Sequence, residues 1–203
     1  VPLGFANRLA PGPISIIGAS GTGIQEVSCL LAALGIGVGQ AIGIGGRDLT
    51  EAVAGRSARH ALTLLAKDDA TRLVVLVSKP PAEPVAKEVL RRARATGKAV
   101  VACFLGQEDG VVDGTPVFGT LLGAVLGAAR MLGVPCQGGL AEVSQPSGGR
   151  IVGLYTGGSL AYEALVVMQR AGLSVASNLK GGSPTLATPG HLRLGLGEHE
   201  YTR

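Results

Sequence analysis

Apolar runs and helical patterns alternate along the first hundred residues. Four short runs end at glycine, proline or a turn, and they predict strands over 14–18, 39–44, 72–78 and 99–105. Between them, apolar positions recur every three or four residues and predict helices over 22–34, 58–66 and 83–96. Strands that alternate with helices indicate an α/β fold with a parallel sheet and right-handed crossovers. Run 72–78 is continuously apolar apart from its ends, as is typical of a strand covered on both faces.

The pattern changes after residue 106. One helix is predicted near 118–132, and the stretch 137–149 has the composition of a linker. The opening pattern then returns at a shift of 137 residues, which pairs Gly21 with Gly158, Glu26 with Glu163 and Gly35 with Gly172. The fold itself imposes some of these glycines, but a shared helical glutamate favours a true repeat of strand, turn, helix, glycine stop and strand.

Composition narrows the class of protein. Aromatic residues make up 3% of the chain and glycines number 33, so the core is aliphatic and the turns are tight. A net charge of +4, with no basic stripe and few aromatics, argues against a nucleic-acid partner, and we interpret the cluster Arg91, Arg92 and Arg94 as a solvated helix face. No run predicts a membrane span, and three scattered cysteines give no zinc spacing, so we expect a cytoplasmic protein without a metal.

Two glycine-rich turns are candidate anion sites. Each stands where a strand is predicted to end and a helix to begin, so that free backbone N–H groups and the helix dipole favour an anion. The predicted contacts are Ser20, Gly21, Thr22 and Gly23 in the first turn and Gly157, Gly158 and Ser159 in the second. Plain helix capping by Ser or Thr is the alternative. Neither turn has the GxGxxG context of a dinucleotide site or the spacing of a P-loop.

Five collinear motifs resemble the FdrA family, whose members are similar to succinyl-CoA synthetase and are commonly called acyl-CoA synthetases. The motifs are IGASGTGIQE at 17–26, AIGIGGRDL at 41–49, VSKPPAE at 77–83, FLG at 104–106 and GLYTGGSLA at 153–161. The resemblance implies a flavodoxin-like, ligase-type domain over 1–106, a helix and linker over 107–149, and the start of a similar second domain over 150–203. It also implies that the two glycine turns face each other across a phosphate site, and that a CoA-binding domain precedes residue 1.

The chain departs from the synthetases at the catalytic loop. The resemblance requires a phosphorylated histidine after the strand that ends at Leu105, but this chain has Gly106-Gln107-Glu108-Asp109-Gly110 there. A route through phosphohistidine is therefore not expected. Lys79 and Arg47 follow predicted strands at the edge where parallel sheets bind ligands, and we predict that they neutralise an anionic substrate as catalytic residues. Ordinary surface charges are the alternative.

Three functions follow from these observations. The first is an acyl-CoA synthetase-like enzyme domain that binds a phosphorylated or acyl-phosphate substrate, with CoA as cofactor through the preceding domain. The second is a subunit of an oxamate carbamoyltransferase, which the missing histidine and the family's association with purine-nitrogen catabolism favour. The third is a scaffold or binding subunit without catalysis. We expect an oligomer or partner subunits in each case, and a chain without an initial Met suggests a fragment.

Overall fold

The computed structural model describes residues 8–135, 152–177 and 179. The chain divides into two compact units, Val1–Cys136 and Gln137–Arg203. Within the described residues, all the strands belong to the first unit, and they form one six-stranded sheet. The sheet is parallel except at one edge, and the predicted α/β class is confirmed.

The sheet has the order β2-β1-β3-β4-β6-β5. Its strands are β1 (Ile14–Gly18), β2 (Val38–Gly43), β3 (Leu73–Ser78), β4 (Ala99–Phe104), β5 (Gly110–Val112) and β6 (Thr115–Phe118). The first four follow the flavodoxin-like order 2-1-3-4, in which the chain reverses its direction across the sheet between β1 and β3. Ligands of such sheets bind beside the carboxyl ends of the strands at that reversal. Gly18 and Ser78 are therefore the strand ends at which a site is expected.

Helices cover both faces of the sheet. The first unit contains α1 (Gly21–Ala33), α2 (Arg56–Ala66), α3 (Glu83–Ala95) and α4 (Leu121–Met131). Helices α1 and α4 contact each other, as do α2 and α3, which gives one helix pair to each face. Because side chains alternate along a strand, β3 serves both layers: Val74 and Leu76 join the cluster under α2 and α3, whereas Val75 and Val77 are buried on the other face.

The sequence pattern predicts no strand over 110–118, but these residues form a hairpin on the sheet. Strand β6 pairs parallel with β4, and β5 pairs antiparallel with β6 as the edge strand. The pattern did not reveal these strands because they hold only three and four residues, and because Pro116 and the turn glycines mimic a loop. Helix α4 then returns to contact β4 and α1, so this segment is part of the first compact unit.

The 137-residue repeat is confirmed for its helix, whereas its two strands do not appear among the described residues. Helix α5 (Gly158–Arg170) has the same 13-residue length as α1, and adding 137 to the bounds of α1 gives those of α5. Both helices are followed by a glycine of positive φ, Gly35 at 72° and Gly172 at 75°. Residues 152–155 and 173–177, however, form no strand. A strand needs a neighbour for its backbone N–H and C=O groups, and the described part of the second unit contains none.

Two findings concern absences within the described ranges. No helix there is long and apolar enough to cross a membrane. No group of three or more His, Cys, Asp or Glu side chains is placed to hold a metal ion in the same residues.

Candidate functional site

The first glycine turn caps helix α1 with a serine. Ser20 is the N-cap residue, with extended backbone, and its Oγ accepts a hydrogen bond of 3.0 Å from the Gly23 N–H. Thr22 Oγ1 lies 3.4 Å from Ser20 Oγ. The capping interpretation is therefore confirmed for Ser20, and it leaves Gly21 and Thr22 in the first turn of the helix, whose N–H groups have no carbonyl four residues back within the helix. Gly21 is exposed and Thr22 half-buried, so this end of the helix is open to solvent.

Two glycines of this region are required by packing. A Cβ on Gly18 would overlap the side chain of Ile24, and a Cβ on Gly23 would lie 2.9 Å from Val77 Cγ1. The first turn of α1 therefore lies directly against the ends of β1 and β3. The close approach also brings Ala19 N–H within 2.8 Å of the Val77 carbonyl oxygen, which ties the turn to the sheet. Glycine at positions 18 and 23 thus has a structural reason that is independent of any ligand.

The loop between β2 and α2 is held by a buried carboxylate. Asp48 is 3% exposed, and its two oxygens accept hydrogen bonds from the N–H groups of Ser57 (2.8 Å) and Ala58 (2.9 Å). Its own carbonyl accepts from Gly55 N–H at 2.7 Å. Asp48 thereby satisfies the start of α2, whose N-cap Gly55 has no side chain to do so.

A cleft of about 420 Å³ opens at the carboxyl edge of the sheet. One wall is the β2–α2 loop from Gly46 to Ala52, and the other is the turn from Ser78 to Ala82. A hydrogen bond of 3.1 Å from Ala82 N–H to the Leu49 carbonyl joins the two walls. Pro80 and Pro81 restrict the backbone of the turn, so the cleft is largely preformed.

Lys79 lines this cleft, but Arg47 does not. The lysine is exposed at the end of β3, which is the position the sequence predicted. Arg47 lies in the β2–α2 loop and is exposed, and its carbonyl accepts hydrogen bonds from the N–H and Oγ1 of Thr50. The loop reaches the glycine turn through Gly46, where an added Cβ would lie 3.6 Å from the Ala19 carbonyl oxygen. The structure thus brings Lys79 and the first turn to the same sheet edge, and it places Arg47 outside the lining of the cleft.

The charges of the cleft nearly balance. Glu51 lines it together with Lys79, and the remaining lining residues are neutral, with Thr50 and Ser78 as hydroxyl groups and Leu49, Ala52 and the prolines as apolar surface. The carboxylate of Glu51 would repel a multiply charged phosphate in the same cleft, because like charges disfavour each other at short distance. The lining better suits a ligand that is neutral overall and has an apolar body, which Lys79 and the hydroxyl groups can orient.

The second glycine turn begins a helix without a side-chain cap. Gly157 is the N-cap of α5, and Gly158 and Ser159 are buried in its first turn. The predicted helix start is confirmed. A paired site with the first turn stays a prediction.

The arginine cluster and His60 are not among the residues that line the cleft. On α3, Arg91 and Arg92 form ion pairs with Glu88 at the exposed face, and these two arginines lower the pKa of Glu88 to about 2. The solvated-face interpretation is therefore confirmed for them. His60 is exposed on α2, whereas His191 and His199 lie outside the described residues.

Sequence reasoning missed Asp48. Capping residues are sought immediately before a helix, whereas Asp48 lies nine residues before Ser57 and reaches the helix because the loop folds back. In Gly45-Gly46-Arg47-Asp48, the sequence pattern predicts the arginine, and not the neighbouring aspartate, as the functional residue. No local pattern distinguishes such a carboxylate from a solvated one.

The strand order and the helices on both faces define a doubly wound α/β domain. Residues 10–106, a little under half of the chain, match the family model described as CoA binding domain. The match covers β1 to β4 with α1 to α3, and therefore both walls of the cleft. CoA recognition was expected through a domain ahead of residue 1, whereas the segment that matches this family lies within the chain.

A relative with a related sequence is the uncharacterized protein YahF of Escherichia coli strain K12. The two are 39% identical in an alignment of 191 residues, and the match covers 87% of this chain and 37% of the length of YahF. The chain therefore spans little more than a third of that relative.

Proposed function

We propose that this chain provides the CoA-binding part of an acyl-CoA synthetase-like enzyme of the FdrA type. The observation that carries the proposal is that both walls of the cleft belong to the segment that matches the CoA binding domain family. CoA bound there would supply its thiol as the acyl acceptor. The chain's own residues bind and orient: Lys79 and the hydroxyl groups of Thr50 and Ser78 are the polar groups that would hold the amide-bearing arm.

The acyl-phosphate substrate is assigned to the first glycine turn. The first N–H groups of α1 and the positive end of its dipole favour a phosphoryl group, and Gly21 is exposed at that end. Gln107 and the acidic residues after β4 offer no imidazole to accept a phosphoryl group. The proposed enzyme therefore transfers its acyl group without a phosphohistidine intermediate.

Carbamoyl transfer is a second candidate, favoured by the same missing histidine. In that reaction the amide nitrogen of oxamate loses a proton and bonds to the carbamoyl carbon, while phosphate leaves with the electron pair of the broken bond. The first glycine turn would then hold carbamoyl phosphate. The two reactions differ in their need for CoA, which makes them separable by assay. A scaffold subunit is the non-catalytic alternative.

Calorimetric titration of the 203-residue chain with CoA tests the binding proposal. We expect Lys79→Ala to weaken CoA binding about threefold to tenfold, through loss of one charged contact. Lys67→Ala is the matched control, because Lys67 is an exposed lysine at the end of α2 outside the cleft. Equal affinity of the two variants would refute the assigned role of Lys79, and the absence of CoA binding by the wild-type chain would refute the proposal.

Reaction assays then distinguish the chemistries. The complete protein, with its partner subunits, is incubated with ATP, CoA and succinate, and separately with carbamoyl phosphate and oxamate, while phosphate release is measured. Turnover in the first mixture alone supports the synthetase. Turnover in the second alone rejects it in favour of carbamoyl transfer, and activity in neither mixture supports the scaffold.

A further inference from the structure

A further cleft lies at the amino-terminal edge of the sheet, where the parallel strands β4 and β6 begin at Ala99 and Thr115. We call it the amino-edge cleft. The last turn of α3 and the end of α4 complete its lining. Its volume of about 290 Å³ is at the lower end of the range for small-molecule sites, so it suits a small ligand. It shares no lining residue with the cleft at the carboxyl edge and is therefore a separate place on the molecule.

The hydroxyl group of Thr115 has no partner within the protein. Thr115 lines the amino-edge cleft and is 1% exposed, and its Oγ1 forms no hydrogen bond in the part of the chain that the structure describes. Its side chain is on the same face of β6 as that of Val117, which packs into the cluster under α2 and α3. Buried hydroxyl groups are nearly always hydrogen-bonded, because an unsatisfied one has lost its bonds to water without replacement. The Thr115 hydroxyl therefore indicates a partner that the cleft itself would hold.

Two cationic side chains line the same cleft. The guanidinium of Arg94 lies over the β5–β6 turn, where a Cβ on Gly114 would be 3.4 Å from Arg94 Cζ, and it donates to the Asp113 carbonyl. Lys98 Nζ donates to the Asp68 carbonyl at 2.9 Å. These bonds occupy one of the five N–H donors of the arginine and one of the three of the lysine. The carbonyls thus position both side chains and leave most of their donors for a ligand.

No acidic side chain is among the residues that line the amino-edge cleft. The carboxylate of Asp68 accepts hydrogen bonds from the Thr71 hydroxyl at 2.6 Å and from Ala70 N–H at 3.1 Å. The pKa of Asp68 is lowered mainly by the bond from Thr71, and the charge of Lys98 contributes less. The amino-edge cleft therefore carries two positive charges without a carboxylate in its lining, in contrast to Glu51 in the first cleft.

These three groups suit a tetrahedral oxyanion. The hydroxyl comes from β6, the guanidinium from α3 and the ammonium group from the turn before β4. Phosphate has oxygens that point in several directions and can accept from all three elements, whereas a carboxylate has two oxygens in one plane. Arginine binds phosphate through paired N–H donors, and lysine binds it as a compact charge.

We propose that the amino-edge cleft binds a phosphate group through the Thr115 hydroxyl, Arg94 and Lys98. The group is the free ion or the phosphate of a small phosphomonoester, because the volume leaves room for little more. This site is independent of the proposed CoA function. It lies at the other edge of the sheet and shares no residue with the first cleft or with the glycine turn at the start of α1.

The experiment is a titration of the isotope-labelled 203-residue chain with sodium phosphate, followed by amide NMR. The pH and the ionic strength are held constant, so that general screening does not change during the titration. We expect saturable shifts at the amides of Gly97, Lys98 and Thr115, from which Kd follows. A parallel titration with glycerol phosphate distinguishes the two sources, because tighter binding identifies either the free ion or the monoester as the preferred ligand.

Thr115→Val removes the hydroxyl group but keeps the shape of the side chain and a strong preference for strands. We expect its Kd for phosphate to rise about tenfold, the effect of one hydrogen bond to a charged group. Without phosphate, its urea midpoint should be no lower than that of wild type, because the chain loses no hydrogen bond. Thr63→Val is the matched control, since Thr63 is exposed on α2 outside the cleft and should leave Kd unchanged.

Arg94→Gln tests the charged contact. It should also raise Kd about tenfold, whereas Arg91→Gln removes the same charge from the same helix outside the cleft and should not. An equal loss in both arginine variants would show a general charge effect and overturn the inference.

The remaining outcomes separate this site from the first glycine turn. Shifts confined to amides 21–23 would reject the inference and support the phosphoryl site at that turn. An unchanged Kd in Thr115→Val, or a urea midpoint below that of wild type, would show that the hydroxyl does not serve a ligand, and either result overturns the inference. Saturable shifts at the amino-edge cleft without shifts at 21–23 would support it and count against the phosphoryl site at the turn.

Discussion

Replacing the buried carboxylate of Asp48 should destabilise the first unit. Asp48→Asn keeps one acceptor oxygen but places an NH₂ group against one of the two N–H donors, so one charge-assisted hydrogen bond is lost. Such a bond contributes about 1.5–3 kcal/mol. Asp48→Ala loses both bonds. Ser57 is exposed and can bond water instead, whereas Ala58 is 0% exposed and its N–H would stay unsatisfied, which brings the expected cost to about 3–4 kcal/mol.

Urea unfolding followed by circular dichroism measures this effect. With a urea dependence of about 2 kcal/mol per M, the asparagine variant should unfold at a midpoint about 1 M below wild type, and the alanine variant lower still. Asp69→Asn is the control, since Asp69 is exposed and a surface change of this kind stays within about 0.5 kcal/mol. An Asp48→Asn midpoint equal to that of Asp69→Asn would refute the role assigned to the carboxylate.

Two further predictions concern helices α1 and α3. Gly23→Ala should destabilise the chain by about 1–2 kcal/mol in urea unfolding, because the new methyl group lies 2.9 Å from Val77 Cγ1; a stabilised variant, as helix propensity alone predicts, would contradict this contact. The Glu88 carboxyl should titrate at a pKa of about 2 by NMR, below its ordinary 4.5, so its small stabilising effect is present above about pH 4.5 and is lost as the pH falls through 2. A midpoint near 4.5 would refute the pairing with Arg91 and Arg92.

Local pattern predicted most of the first unit. Strand 14–18 has the predicted bounds, and the strand predicted over 39–44 forms over Val38–Gly43. Helix α1 begins one residue before its predicted start, at Gly21. These elements are predictable because apolar period, capping residues and glycine stops act within a few residues of one another. The glycine stop after α5 was predictable for the same reason.

The sequence by itself determined the α/β class, the helix starts at the two glycine turns and the absence of a histidine after β4. Tertiary structure decided which of the candidate groups meet. Lys79 lines the cleft and neighbouring Arg47 does not, because the Ala82–Leu49 hydrogen bond and the remote Asp48 carboxylate set the course of the β2–α2 loop. The 110–118 hairpin likewise forms because the backbone of β4 provides hydrogen-bonding partners for β6. Such contacts join residues that are far apart in the chain, so they cannot be predicted from the local sequence pattern.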